Sequence, residues 1–148
     1  ELTEIREMFE LRSAAAFLRL PEANPAWTEL DRLEQEHYAL RQAIDTRFND
    51  FSELDERFHR LIHNASRNRF IADFYDVIAM IFHYHYQWNK TGARERNAVA
   101  IEEHLAYVEA LKLRDPRKVE EACRRHLKSA RQTLLQSIPE TEAPTGAG

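Results

Sequence analysis

Asp55 and His59 stand four residues apart in the stretch Leu54-Asp55-Glu56-Arg57-Phe58-His59-Arg60-Leu61-Ile62. On a helix that spacing leaves about 40° between the two side chains, so they project one turn apart from a single face. Phe51, Leu54, Phe58 and Ile62 recur at three- and four-residue intervals, and Asp55 and His59 fall within or beside the stripe they form. A carboxylate turned toward a core is costly unless something compensates it, and a metal ion is one such group.

The remaining ligands have to come from other helices. His104 lies within the stripe Ile101, Leu105, Val108, Leu111, and His126 lies in the middle of Val119, Ala122, Cys123, Leu127, Ala130, Leu134. Three helices therefore direct Asp55, His59, His104 and His126 into shared core. Three imidazoles and one carboxylate suit Zn²⁺ first, with Ni²⁺, Mn²⁺ or Fe²⁺ as alternatives, and leave room for an outside ligand. Each histidine taken singly is better explained as a core residue satisfied by a hydrogen bond.

The elements that must position these groups read as helices throughout. The chain has 148 residues with 3 Gly and 5 Pro, and Leu, Ala, Glu and Arg recur along it. One all-α domain is expected, an antiparallel bundle of six to seven helices over residues 1–137, with a disordered tail from 138 to 148. Helices are predicted over about 2–20, 25–46, 51–66, 69–89, 93–114 and 116–137. Asn24 caps the second with Pro25 at its first position, and Asp115-Pro116 opens the last. In the first helix Ile5, Met8, Phe9, Ala15 and Ala16 form the expected inner face with Arg12 among them, and late in the fourth His85 and Trp88 continue the inner spacing. His63 is placed at the stripe edge in solvent, and His37 and Cys123 are read as core positions without chemistry.

A net charge of −4 with acids and bases interleaved argues against a free-standing nucleic-acid binder. The single cysteine fits a reducing compartment, and neither a membrane-length apolar run nor a signal segment opens the chain, so a cytoplasmic protein is expected.

Several short motifs occur in a specific order: E-x-R at Glu10-Leu11-Arg12, L-D-x-x-F-H from Leu54 to His59, Ala65-Ser66-Arg67-Asn68, E-H at Glu103-His104 running on to Ala110-Leu111, Asp115-Pro116, and His126-Leu127. Together they resemble the FadR-type C-terminal effector (FCD) domain of GntR-family transcriptional regulators. The resemblance implies a helical bundle that dimerises, senses a small carboxylate metabolite and controls a winged helix-turn-helix expected upstream, through which alone operator DNA would be bound. In the metal-dependent branch, the D-x-x-x-H pair and two later histidines hold the ion, matching Asp55, His59, His104 and His126. The first-helix arginine, Arg12, would grip the effector carboxylate, unless it pairs with an internal acid, and His85 and Trp88 would wall the cavity. The competing reading is a metal-dependent helical-bundle hydrolase or oxygenase, for which no spare inward acid is evident to serve as general base.

Overall fold

A computed structural model of the chain describes residues 2–88 and 91–137, with side chains through residue 85 and from 91 to 136. Six long helices carry the fold: α1 (Leu2–Leu18), α2 (Pro25–Gln42), α4 (Phe51–Asn64), α5 (Arg69–Trp88), α6 (Ala93–Lys112) and α7 (Pro116–Ser137). The second helix ends earlier than its periodicity suggests. At Ala43 the backbone leaves helical geometry, and a single turn, α3 (Ile44–Arg47), followed by a 3₁₀ turn (Phe48–Asp50), leads into α4. The expected tail, 138–148, lies outside the described residues.

Local chemistry explains the boundaries. Asn24 Oδ1 accepts from the Ala26 amide at 2.9 Å ahead of Pro25, and Asp115 Oδ1 accepts from the amides of Arg117 and Lys118 ahead of the last helix. In Ala65-Ser66-Arg67-Asn68 the Ser66 hydroxyl donates to His63 O and accepts from the Asn68 amide, while Asn68 Oδ1 accepts from Phe70 N. One helix is thereby closed and the next opened within four residues. Arg67 and Arg114 take positive φ at these reversals, and at Arg114 the conformation is offset by its guanidinium stacking on Trp27 at 4.3 Å.

Short connections turn neighbouring helices back on each other, and the longest shared interface joins α6 to α7. Helix α1 packs on α4 and α7, α2 on α4 and α6, and α5 on α4 and α7. The main core gathers Phe17, Leu30, Phe58, Ile62, Tyr107, Val108, Leu111, Cys123 and Leu127, and a second cluster gathers Leu33, Leu40, Leu54, Ile101 and Leu105. Helix α4 contributes to both, so the face that bears Asp55 and His59 runs through the centre of the bundle.

The inner face of α1 differs from the expected one. Ile5 and Met8 are exposed, and the buried residues are Arg6, Glu10, Ser13, Ala14 and Phe17. These follow a proper helical face at intervals of four, three, one and three, but half of it is polar, so apolar periodicity pointed to the wrong side. Helix α5 buries Ile71, Tyr75 and Ile78 while Phe70 is left in solvent.

Two outcomes follow from the packing. Phe17→Ala is expected to cost about 3–5 kcal/mol and Asn24→Ala about 1 kcal/mol in urea unfolding with an unchanged slope. Cys123 is fully buried, and burial, with the charge of Glu10 behind it, raises its thiol well above the usual range. Its reaction with a disulfide reagent should therefore wait on unfolding and accelerate sharply through the urea transition.

Candidate metal centre

Four side chains from three helices converge beside α5. Asp55 and His59 come from α4, His104 from α6 and His126 from α7, and one ligand atom of each lies within 4.8 Å of all the others. The three imidazoles are buried, whereas the Asp55 side chain keeps 32% of its surface and faces a cavity. His59 Nε2 and His126 Nε2 stand 3.0 Å apart, His104 Nε2 and His126 Nε2 3.1 Å. Asp55 Oδ1 is 3.2 Å from His104 Nε2 and 3.4 Å from His59 Nε2.

Each ring turns its other nitrogen outward to a partner. His59 Nδ1 donates to Glu10 Oε1 at 2.7 Å, and His126 Nδ1 donates to Glu103 Oε2 at 3.0 Å, with Ser129 Oγ donating to the other Glu103 oxygen. His104 Nδ1 meets His37 Nε2 at 2.8 Å. A neutral imidazole with its proton on Nδ1 has only a lone pair on Nε2. In the neutral rings the Nε2 atoms therefore bring acceptors together, beside a carboxylate that also only accepts, and where no cation sits a proton drawn to His59 by Glu10 and Asp55 relieves that crowding.

That arrangement fits a cation. Donors roughly 2.0–2.1 Å from one ion stand about 2.8–3.4 Å from each other for angles between square and tetrahedral, and the four separations above, from 3.0 to 3.4 Å, fall in that range. Outer partners on every histidine are also what metal-ligating imidazoles require to hold their orientation.

The electrostatics agree with the geometry. Burial by itself would raise the Glu10 and Asp55 carboxyls, but the neighbouring imidazoles, His59 foremost, hold both well below the usual range. Burial depresses His59, yet Glu10 and Asp55 outweigh it and push its pKa up to about 9. His104 is held well below the ordinary value by burial and by His126, and burial also lowers His126. A site that holds two carboxylates and draws a proton onto one imidazole while keeping the others neutral is suited to a dication with nitrogen ligands.

The site opens into a cavity of about 130 Å³ walled by α1, α4, α5, α6 and α7. Asp55 and His126 form its floor, with Tyr75, Ile78, Phe82 and His85 along α5 and Arg96 and Asn97 on α6. His85 is half-buried at this wall. Trp88 closes α5, and its side chain lies outside the described residues.

Arg12 is exposed and does not reach the cavity, because it sits on the opposite side of α1 from Glu10 and Ser13. The arginine of α1 that does is Arg6, also third in an E-x-R triplet, Glu4-Ile5-Arg6. It is 5% exposed, lines the cavity, and lies over the Phe82 ring at 4.8 Å. Among the described residues it has neither an ion pair nor a hydrogen bond, and its Nε is buried without a partner.

Four more residues escaped the sequence reading. Glu10 and Glu103 stand in the quoted motifs, but the apolar pattern gave no reason to assign them as orienters of His59 and His126. His63 is not in solvent: it is buried, with Nδ1 3.2 Å from Ser13 Oγ and Nε2 3.2 Å from Glu10 Oε2, the latter an ionic contact without hydrogen-bond angles. His37, assigned only to the core, touches His104 directly.

The family model of the FCD domain matches residues 1–129. Over 140 residues the chain is 39% identical to the probable HTH-type transcriptional regulator LgoR of Escherichia coli (strain K12), an alignment covering 95% of this chain and 46% of that protein. The chain thus spans about half the length of this curated relative. No solved structure matches. Both matches are to transcriptional regulators, which are not enzymes, and this removes the hydrolase or oxygenase reading. With the family model covering most of the bundle, the chain belongs to the FCD-domain family of GntR-type transcriptional regulators.

Proposed function

We propose that this domain senses a small carboxylic acid through a divalent transition metal, with zinc the first candidate, held by Asp55, His59, His104 and His126. The observation that carries the reading is Arg6. A buried guanidinium with no anion of its own among the described residues faces the same cavity as the four convergent ligands, so the cavity has a fixed positive group at one wall and ligand atoms at its floor. Bound there, the ion would supply open positions for oxygens of the acid. Arg6 would pair with a carboxylate and hold it in one orientation, and Tyr75 and Phe82 would exclude water from the contact. Arg96, Asn97 and His85 would set the length and polarity of the acid accepted.

The regulated partner would be operator DNA, bound by a winged helix-turn-helix upstream of this domain. Support comes from the HTH-type relative, of which this domain aligns with less than half. No described helix is long and apolar enough to cross a membrane, and a cytoplasmic regulator is the matching setting. Signalling then requires the acid to favour one arrangement of the bundle or dimer over another.

A homodimer is also proposed, with α5 as its face. Phe70, Val77, Met80 and Tyr84 are all exposed and recur at intervals of seven, three and four, a stripe about 21 Å long. Paired antiparallel with itself about Val77, the stripe sets Phe70 of one copy against Tyr84 of the other, the self-complementarity an isologous contact needs.

Elemental analysis should find one divalent ion per chain, and His104→Ala combined with His126→Ala should remove it. In thermal shifts with a panel of small hydroxy- and dicarboxylic acids, Arg6→Met should keep the ion and lose the stabilisation, whereas Arg12→Ala should change neither. An undiminished response in Arg6→Met would overturn the assignment. Val77→Glu with Met80→Glu should convert the protein to a monomer in sedimentation without loss of helicity; an unchanged dimer would place the interface elsewhere.

A further inference from the structure

We infer that His37 is a positioning residue for the metal centre: it selects the ring orientation and tautomer of His104, leaving the His104 Nε2 lone pair turned to Asp55 and His126. The inference rests on the metal reading above.

His37 is fully buried on α2, a helix that contributes no ligand. Its Nδ1 is 2.7 Å from Leu33 O, and a carbonyl can only accept, so Nδ1 carries the proton. In a neutral ring His37 Nε2 is then an acceptor. Across 2.8 Å it faces His104 Nδ1, which must donate. A neutral His104 has one proton, and with that proton on Nδ1 its Nε2 is bare. Placing the His37 proton on Nε2 instead would set two lone pairs against each other at Leu33 O.

Phe58 performs a different part of the task. It stacks on His104 with centroids 4.2 Å apart and planes 28° apart, and it touches His37 edge-on at 5.6 Å. Stacking fixes the plane of the His104 ring but is nearly indifferent to a half-turn that exchanges nitrogen for carbon within that plane. Polar partners at the ring edge distinguish the two orientations, and on the Nδ1 side, away from Asp55 and His126, His37 is that partner. The other two ligand rings are oriented by carboxylates, Glu10 and Glu103. His104 receives a neutral orienter, so its proton is placed without adding another carboxylate to Asp55, Glu10 and Glu103.

The test uses the full chain with His37→Phe, which keeps an aromatic ring, and His37→Gln, whose amide oxygen can accept. Co²⁺ uptake followed by its visible absorption and Zn²⁺ competition with a chromophoric chelator would give affinities. Long-range ¹H–¹⁵N correlation of the metal-free protein would report the His104 tautomer. We expect His37→Phe to weaken both metals about 10- to 100-fold while the metal-free melting temperature is held or raised. His37→Gln should recover most of the loss, and wild-type His104 should carry its proton on Nδ1. Wild-type affinity in His37→Phe, equal losses in the two variants, or a wild-type His104 protonated on Nε2 would each overturn the inference. The tautomer measurement needs neither a variant nor a metal, so it decides the role of His37 even if the wild-type chain takes up no ion and the metal reading falls.

Discussion

Two carboxylates held in the core beside three imidazoles are the constraint on which the structure turns. Glu10 is fully buried and Asp55 opens only on the cavity, and neither would remain ionised in such surroundings without compensating charge. His59 lies between them and answers both, at 2.7 Å to one and 3.4 Å to the other. With the outer nitrogens of all three rings engaged, neutral rings leave only lone pairs at the inner nitrogens, and a cation, or a proton drawn to His59 by the two carboxylates, relieves their crowding. Helix packing is built around that arrangement: α1 brings Glu10, α2 His37, α4 and α6 and α7 the ligands, and Phe58 fills the space beneath.

The same constraint accounts for the unusual character of α1. A helix that serves a polar centre must turn polar residues inward, and Arg6, Glu10 and Ser13 occupy its buried face while Ile5 and Met8 are in solvent. Glu10 supports His59, Ser13 supports His63, and Arg6 is carried to the wall of the cavity. A single helix face thus carries both the residues that support His59 and His63 and the buried guanidinium that lines the cavity. Any change of α1 relative to α4 and α7 would alter both at once, which suits an element through which ligand binding could be communicated.

How legible this was depended on the kind of signal each residue carried. His104 and His126 lie inside otherwise apolar stripes, so their inward direction could be read from spacing, and the same holds for Asp55 and His59. Arg12 illustrates the converse. It lies among apolar neighbours, yet the helix buries the other side, and the equivalent triplet six residues earlier supplies the arginine that reaches the cavity. Glu10 and Glu103 leave no apolar periodic trace, and His37 was legible as a core position but not as an orienter, because that role depends on which ring edge is met across an interface.

The amino-acid sequence by itself determined an all-helical chain, its helix caps and reversals, and the inward direction of four ligand residues, because propensity, capping and periodicity act over a few residues along one element. Tertiary structure decided which side of α1 is buried, that Arg6 and not Arg12 faces the cavity, and how each histidine ring is oriented. Those outcomes depend on contacts between helices distant in the chain, where the stability of a buried charge or the direction of a lone pair is set by residues that no local pattern places beside it.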